Sequence, residues 1–155
     1  MGSRLNALEE HFYAYLAGFL DGDGCITIKT DKSKTHRLGY YIRVRVSFTQ
    51  HRSRRKVLDY LCKKIGSGVV TEYVHNNMAE YVIFDQKVIS YLLDRIEPYV
   101  FVKLRNLRIA KELLSLKRGG YSRSSLVKML SLYKKMGLLN NYPKSFKFDP
   151  VTTET

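Results

Sequence analysis

The sequence predicts an α+β protein with four antiparallel strands in one sheet, helices on one face of that sheet and the other face open. Three observations support this. A helix followed by two strands occurs twice, one strand alternates apolar and polar residues throughout, and 27 lysines and arginines against 14 acids leave a net charge of +13. The 155 residues suffice for a single domain, with an expected core over residues 8–117 and a helical region and tail over 118–155.

The first helix is predicted over residues 8–20, where apolar side chains recur at helical spacing after two glutamates that favour a helix start. Part of its surface is small enough for a second helix to approach closely. The small residues are Ala14, Ala17 and Gly18. The segment Asp21-Gly-Asp-Gly24 is expected to end this helix.

The first two strands flank a predicted hairpin loop over residues 31–39. The second strand alternates cleanly over residues 40–49, which predicts one apolar face and one polar face. The polar face carries Tyr41, Arg43, Arg45, Ser47 and Thr49.

The second helix and hairpin repeat this order. We predict a helix over residues 53–66 and a hairpin with arms over 69–74 and 80–84. Asp85 is expected to cap a third helix that ends before Pro98. Two more helices, around residues 104–114 and 126–133, are expected to follow, with a tail from about Leu138.

The composition excludes several classes of protein. Two cysteines are too few for a disulfide framework and lack zinc-site spacing, so a reducing compartment is expected. The apolar stretches are shorter than the ~18 residues that a membrane span needs, and no signal sequence is evident. The excess positive charge predicts a polyanionic partner, with no membrane and no small-molecule substrate.

The segment Leu16-Ala-Gly-Phe-Leu-Asp-Gly-Asp-Gly24 places two carboxylates at a helix C-terminus, where the helix dipole disfavours them. A carboxylate beside exposed peptide carbonyls is a good oxygen site for Mg²⁺, which takes few protein ligands. The alternative is that Asp21 and Asp23 only shape a turn, since Asp and Gly are common turn residues.

This segment resembles the signature of the LAGLIDADG homing endonucleases, and the predicted order αββαββα with additional C-terminal helices is that family's fold. The resemblance covers roughly Phe12 to Leu114. Because only one copy of the motif is present, the chain resembles the single-motif, homodimeric, intron-encoded members. It therefore implies a saddle-shaped sheet that binds double-stranded DNA.

The resemblance also implies roles for individual residues. Asp23 would be the metal-binding carboxylate, the backbone carbonyl of Gly22 a further ligand, and Asp21 structural at the helix end. Gln50, Arg54 and Lys103 would complete the catalytic site by orienting waters. The alternatives are a surface residue at a strand end for Gln50 and a solvated helix start for Lys103.

A homodimer is expected because cutting both strands needs two hydrolyses and one Asp23 serves a single phosphate. A symmetric pair could use the same helix surface twice. The expected interface residues are Ala14, Ala17, Gly18 and Asp21. Two or three Mg²⁺ ions would be shared at the seam, and Mn²⁺ or Ca²⁺ could replace them in binding.

The open sheet face is expected to read DNA, with arginine suited to guanine. The expected DNA-binding residues are Cys25, Thr27, Lys29, Tyr41, Arg43, Arg45, Ser47, Thr71, Tyr73, Glu80 and Val82. The alternative is a face that is merely polar, which the charge of +13 disfavours.

The predicted function is divalent-metal-dependent cleavage of both DNA strands at a long pseudo-palindromic site, leaving 3′ overhangs. The alternative is a catalytically silent nucleic-acid binder, such as an RNA maturase or a DNA-binding regulator. An intracellular location is expected, in a chloroplast or mitochondrion if an organellar intron encodes the chain.

Overall fold

The protein, examined as a computed structural model, is described over residues 8–34 and 39–140. Its helices are α1 (Glu10–Asp23), α2 (Arg55–Ile65), α3 (Gln86–Ile96), α4 (Leu104–Arg118) and α5 (Arg123–Leu139). Its strands are β1 (Gly24–Lys32), β2 (Tyr40–His51), β3 (Val69–Tyr73) and β4 (Met78–Ile83). Within the described ranges, no helix has the length and apolar character needed to cross a bilayer.

The order of elements confirms the predicted αββαββα arrangement with two further helices. The last helix spans Arg123–Leu139, which is longer than the helix predicted around residues 126–133 and ends close to the predicted start of the tail; residues 141–155 lie outside the described residues. Residues 35–38 of the predicted loop over 31–39 also lie outside them.

The four strands form one sheet in the order β1-β2-β4-β3, which makes β2 and β4 the central strands. Strands β2 and β4 are antiparallel, with Ser47 opposite Val82. Glu80 of β4 pairs with Thr49 on one side and with Thr71 of antiparallel β3 on the other. This register places Ser47, Val82 and Glu80 on one face.

The described residues fall into two compact units. The first contains the residues up to Ile26 and Arg45–Leu104, and the second contains Thr27–Val44 and the residues from Arg105. That the whole chain acts as a single domain stays a prediction.

In the first unit, α2 packs against β4 and α1 packs against α3. The apolar face of the strands is buried, and the rings of Phe48 and Tyr81 stack with centroids 6.0 Å apart. The buried Tyr81 hydroxyl donates a hydrogen bond to the carbonyl of Ser67 over 2.5 Å. Burial of polar groups is tolerated when they are paired in this way.

In the second unit, α4 and α5 contribute buried leucines and methionines. The side-chain amide of Asn106, which is buried on α4, donates to Oδ1 of Asn140 over 2.9 Å. The Tyr121 hydroxyl donates to the carbonyl of Ile42 over 3.4 Å.

Candidate active site and nucleic-acid interface

Helix α1 extends through both acids of the motif, instead of ending before Asp21 as expected, and β1 starts at the next residue, Gly24. A side chain at Gly24 would place its Cβ 2.8 Å from the Cα of Leu20, so only glycine fits this abrupt passage from helix to strand. The chain therefore enters the sheet directly from the last helical turn, and the acids stay at the helix end.

The carboxylate of Asp21 is committed to its own chain. Its Oδ2 accepts a hydrogen bond from the backbone N–H of Phe101 over 2.8 Å, and Oδ1 accepts one from the N–H of Lys103 over 3.1 Å. Both oxygens thus anchor the segment before α4. This geometry fits the structural role implied for Asp21.

The ammonium group of Lys103 holds the C-terminal carbonyls of α1. Its Nζ donates to the carbonyl of Leu20 over 2.8 Å, to that of Asp21 over 3.2 Å and to that of Gly24 over 2.5 Å. The last carbonyls of a helix lack partners within the helix, and a cation stabilises that end. Lys103 is therefore not the solvated helix start of the alternative interpretation. Its contacts do not include the carbonyl of Gly22.

Asp23 presents the opposite situation, because its side chain is exposed. Its Oδ2 accepts a hydrogen bond of 2.6 Å from Nε2 of Gln50, near the end of β2. The structure thus brings together the two residues that the motif resemblance implied for metal binding and water orientation. Their chemical roles stay predictions.

The exposed side of α1 carries the small residues on which the dimer prediction rests, with one correction. Ala14 and Gly18 are exposed, whereas Ala17 is 0 % exposed and lies in the chain's own core, so it cannot line a contact with another protein. A Cβ added at Gly18 or Gly22 would meet nothing within 4 Å. The fold of this chain therefore does not require glycine at either position.

Arg54 is exposed and follows the strand that carries Gln50. Among the described residues no hydrogen bond or ion pair joins it to Asp23, and its role in catalysis stays a prediction. Its neighbours Arg52 and Arg55 each pair with Glu72, over 3.4 and 3.3 Å.

The residues at the end of α1 fit a hard divalent cation. Asp23 offers a carboxylate and Gly22 a backbone carbonyl, and such oxygen donors are what Mg²⁺ takes, together with water. The described part of one chain contains no group of three or more Asp, Glu, His and Cys side chains that could hold a metal.

On the sheet face of the first unit, Arg45, Glu80 and Tyr73 form a connected group. Nη2 of Arg45 donates to Oε1 of Glu80 over 2.9 Å, and the Tyr73 hydroxyl donates to the same oxygen over 3.1 Å. Thr71 and Tyr73 on β3 are exposed, and Cys25 on β1 is half-buried.

Two residues predicted to read DNA are buried, which corrects the prediction. Ser47 and Val82 are each only 5 % exposed, although their register places them on the same face as Glu80. The alternation predicted their face correctly. It could not predict how far neighbouring side chains cover them, and that burial leaves little of either side chain accessible to a base.

In the second unit, Lys29 and Tyr41 are exposed as predicted, and Nη2 of Arg43 lies 3.1 Å from Oδ2 of Asp31. Thr27 is half-buried, and its hydroxyl oxygen has no hydrogen-bond partner among the described residues.

The sequence pattern did not identify Lys117 as a second positive charge near Arg43 in this unit. Burial lowers the pKa of Lys117, and the nearby positive charge of Arg43 lowers it further. Strand alternation gives no signal for a cation that comes from the last turn of a helix.

Comparisons with known proteins agree with this geometry. The family model described as LAGLIDADG endonuclease matches residues 16–111. DNA endonuclease I-CvuI of Chlorella vulgaris is 26 % identical over 132 residues, which are 85 % of this chain and 81 % of that protein. DNA endonuclease I-CreI of Chlamydomonas reinhardtii is 29 % identical over 105 residues, 68 % of this chain and 63 % of that protein.

Solved structures show the same fold. I-CvuI in complex with the I-CreI target in the presence of Mg superposes with a TM-score of 0.82 at 24 % identity, covering 94 % of this chain and 92 % of that one. The archaeal intron-encoded homing endonuclease I-Vdi141I, complexed with DNA, gives a TM-score of 0.78 at 21 % identity, covering 94 % and 95 %.

Proposed function

Because the chain belongs to the LAGLIDADG endonuclease family, we propose that it is a site-specific, homodimeric endonuclease that hydrolyses both strands of a long pseudo-palindromic DNA target with divalent metal, leaving 3′ overhangs. The observation that carries the proposal is the contrast between the two acids of the motif. Asp21 is bound within the chain, while Asp23 is exposed and held by Gln50.

Each residue at the helix end has a distinct task in this proposal. Asp23 and the carbonyl of Gly22 would hold Mg²⁺, which when bound activates water and neutralises charge on the leaving oxygen. Gln50 fixes the carboxylate through Nε2 and keeps its own carbonyl oxygen to accept a hydrogen bond from water. Lys103 secures the helix end, so that the ligand oxygens keep their positions. Arg54 would approach the phosphate only when DNA is bound.

The dimer is proposed because cutting both strands needs two hydrolyses, and each single-motif chain carries one Asp23. A two-fold pair built on the exposed face of α1 would bring two copies of Asp23 together and form a shared site for two or three ions. The open space at Gly18 and Gly22 supports a close helix contact there. Ala14 would lie beside Gly18 in this contact.

Recognition is assigned to the polar face of the sheet. Strand β2 contains twelve residues, whose eleven rises of ~3.3 Å extend over about 36 Å, close to one turn of B-DNA. Exposed cations such as Lys29 supply electrostatic attraction to phosphates, and Arg45 supplies a group that can pair with guanine.

We also propose an organellar location. The two curated relatives come from the green algae Chlorella vulgaris and Chlamydomonas reinhardtii. Green algae carry both chloroplasts and mitochondria, and fractionation of the source cells would decide between them.

The proposal is tested by selecting cleaved plasmids from a library of long palindromic sites, with Mg²⁺ and with chelator. We expect linear product only with the metal, and ends with 3′ extensions on sequencing. No metal-dependent cutting of any member would contradict the proposal. Tight RNA binding with assisted splicing would then favour the maturase alternative.

A further inference from the structure

The acidic residue Glu80 lies between two polar side chains on the sheet face. The side chains of Arg45 and Glu80 are 23 % and 17 % exposed, so their ion pair is partly shielded from solvent. Such a pair is screened less by salt than a fully exposed one. Tyr73 donates to the same carboxylate oxygen from β3, which fixes the direction of that oxygen.

The register shows how far Arg45 reaches. Ser47 lies opposite Val82 and Thr49 lies opposite Glu80, so Arg45 must pass the Ser47–Val82 pair to reach Glu80. This is farther than the diagonal neighbours of a sheet face, so the side chains of Arg45 and Glu80 must extend toward each other along the strands. Ser47 and Val82, which lie between Arg45 and Glu80 on this face, are each only 5 % exposed.

The chemistry of the two groups defines what they can still bind. Arg45 uses Nη2 toward Glu80, and its planar guanidinium carries further N–H groups that can pair with O6 and N7 of guanine. Both bonds to Glu80 end on Oε1. In the described part of the chain, Oε2 of Glu80 accepts no hydrogen bond. It can therefore accept a hydrogen bond from N4 of cytosine.

We propose that Glu80 is a positioning residue that fixes Arg45 across the Ser47–Val82 pair, so that Arg45 reads guanine and Oε2 of Glu80 reads cytosine at one position of each half-site. This rests on the proposed DNA recognition and adds to it a specificity-determining group. It also removes Ser47 and Val82 from the set of base-reading residues.

The test compares the base preferences of wild-type protein, Glu80→Gln and Arg45→Lys at every position of a cleavable target selected by the wild type. Gln keeps the shape of Glu and loses its charge, so it can donate as well as accept. We expect Glu80→Gln to lower discrimination for the G·C pair at least about fivefold. The affected position must be the one that Arg45→Lys changes, and its symmetry mate.

Matched variants separate positioning from general stability. Tyr73→Phe removes one bond to Oε1 and should relax the same position to a lesser extent. Asp31→Asn removes the carboxylate that pairs with Arg43, where the side chains are 47 % and 56 % exposed, and should leave that position unchanged. Unfolding by urea checks that each variant is folded.

An unchanged base profile in folded Glu80→Gln would overturn the inference, as would changes at positions unrelated to those of Arg45→Lys. Failure of the wild type to select any target would instead count against the proposed function. We expect Ser47→Ala and Val82→Ala to keep full cleavage activity and the base preferences of the wild type, because in this proposal neither side chain reaches a base.

Discussion

The two acids at the end of α1 lie two residues apart but differ in their surroundings. Asp21 uses both carboxylate oxygens within the chain, and Lys103 ties the same helix end to the segment before α4. Asp23 is exposed, with Gln50 as its hydrogen-bond partner. The comparison shows that one helix end has a side bound to the rest of the chain and a side exposed to solvent.

Replacing Asp23 should give the largest effect. Asp23→Asn removes the charge proposed to hold the cation, so we expect the cleavage rate to fall at least about 10²-fold, the scale for losing a group that stabilises charge in a reaction. Plasmid cleavage with Mg²⁺ measures this. Binding of the target in Ca²⁺ and the midpoint of urea unfolding should change little. An undiminished cleavage rate in Asp23→Asn would contradict the different roles proposed for Asp21 and Asp23.

Gly18→Leu should give the next effect, because it adds bulk to the exposed face of α1 where the dimer is proposed. Overpacking costs about 1–3 kcal/mol, which raises the dimer dissociation constant about 5- to 150-fold. Sedimentation over a concentration series measures it. The stability of the monomer should not fall, since leucine favours a helix more than glycine does.

The control for that variant is Ser131→Leu, which adds similar bulk to an exposed position of α5. We expect it to leave the sedimentation profile of the wild type unchanged. Equal dimerisation by Gly18→Leu and the wild type would remove the α1 face from the proposal.

Asp21→Ala should have the smallest effect on the reaction itself and a clear effect on folding. It leaves the N–H groups of Phe101 and Lys103 without their acceptor, at a cost of about 1–3 kcal/mol. Urea unfolding measures the loss, and Asp23→Ala is the matched control, expected within about 0.5 kcal/mol of wild type. The opposite order of stabilities would contradict the roles assigned to the two acids.

Much of this division could be predicted from the sequence, because it depends on local patterns. Helical spacing, strand alternation and the capping residue Asp85 follow from the chain itself, and Asp85 accepts bonds from the N–H groups of Lys87 and Val88 as expected. The motif resemblance assigned the structural role to Asp21 and ligand binding to Asp23. The hydrogen bonds of Asp21 agree with its structural role, whereas ligand binding by Asp23 stays a prediction.

The remaining details depend on contacts between segments distant in the chain. Tyr15 lies at helical spacing from the apolar residues of α1, yet it is 48 % exposed, whereas the nearby Ala17 is buried. A tyrosine fits either environment, so periodicity could not fix the rotation of the helix. The burial of Ser47 depends on where Arg45 ends, which a strand pattern does not contain.

Mixed dimers test the central claim most directly, which is that two chains share one site through Asp23. Dimers with one wild-type and one Asp23→Asn subunit can be purified through two different tags and assayed on plasmid bearing the selected target. Because each subunit supplies only part of the ligand set, we expect linear product to fall at least about 10²-fold relative to wild-type dimers. Linear product at half the wild-type rate would show that each subunit acts with its own Asp23, and would contradict the account.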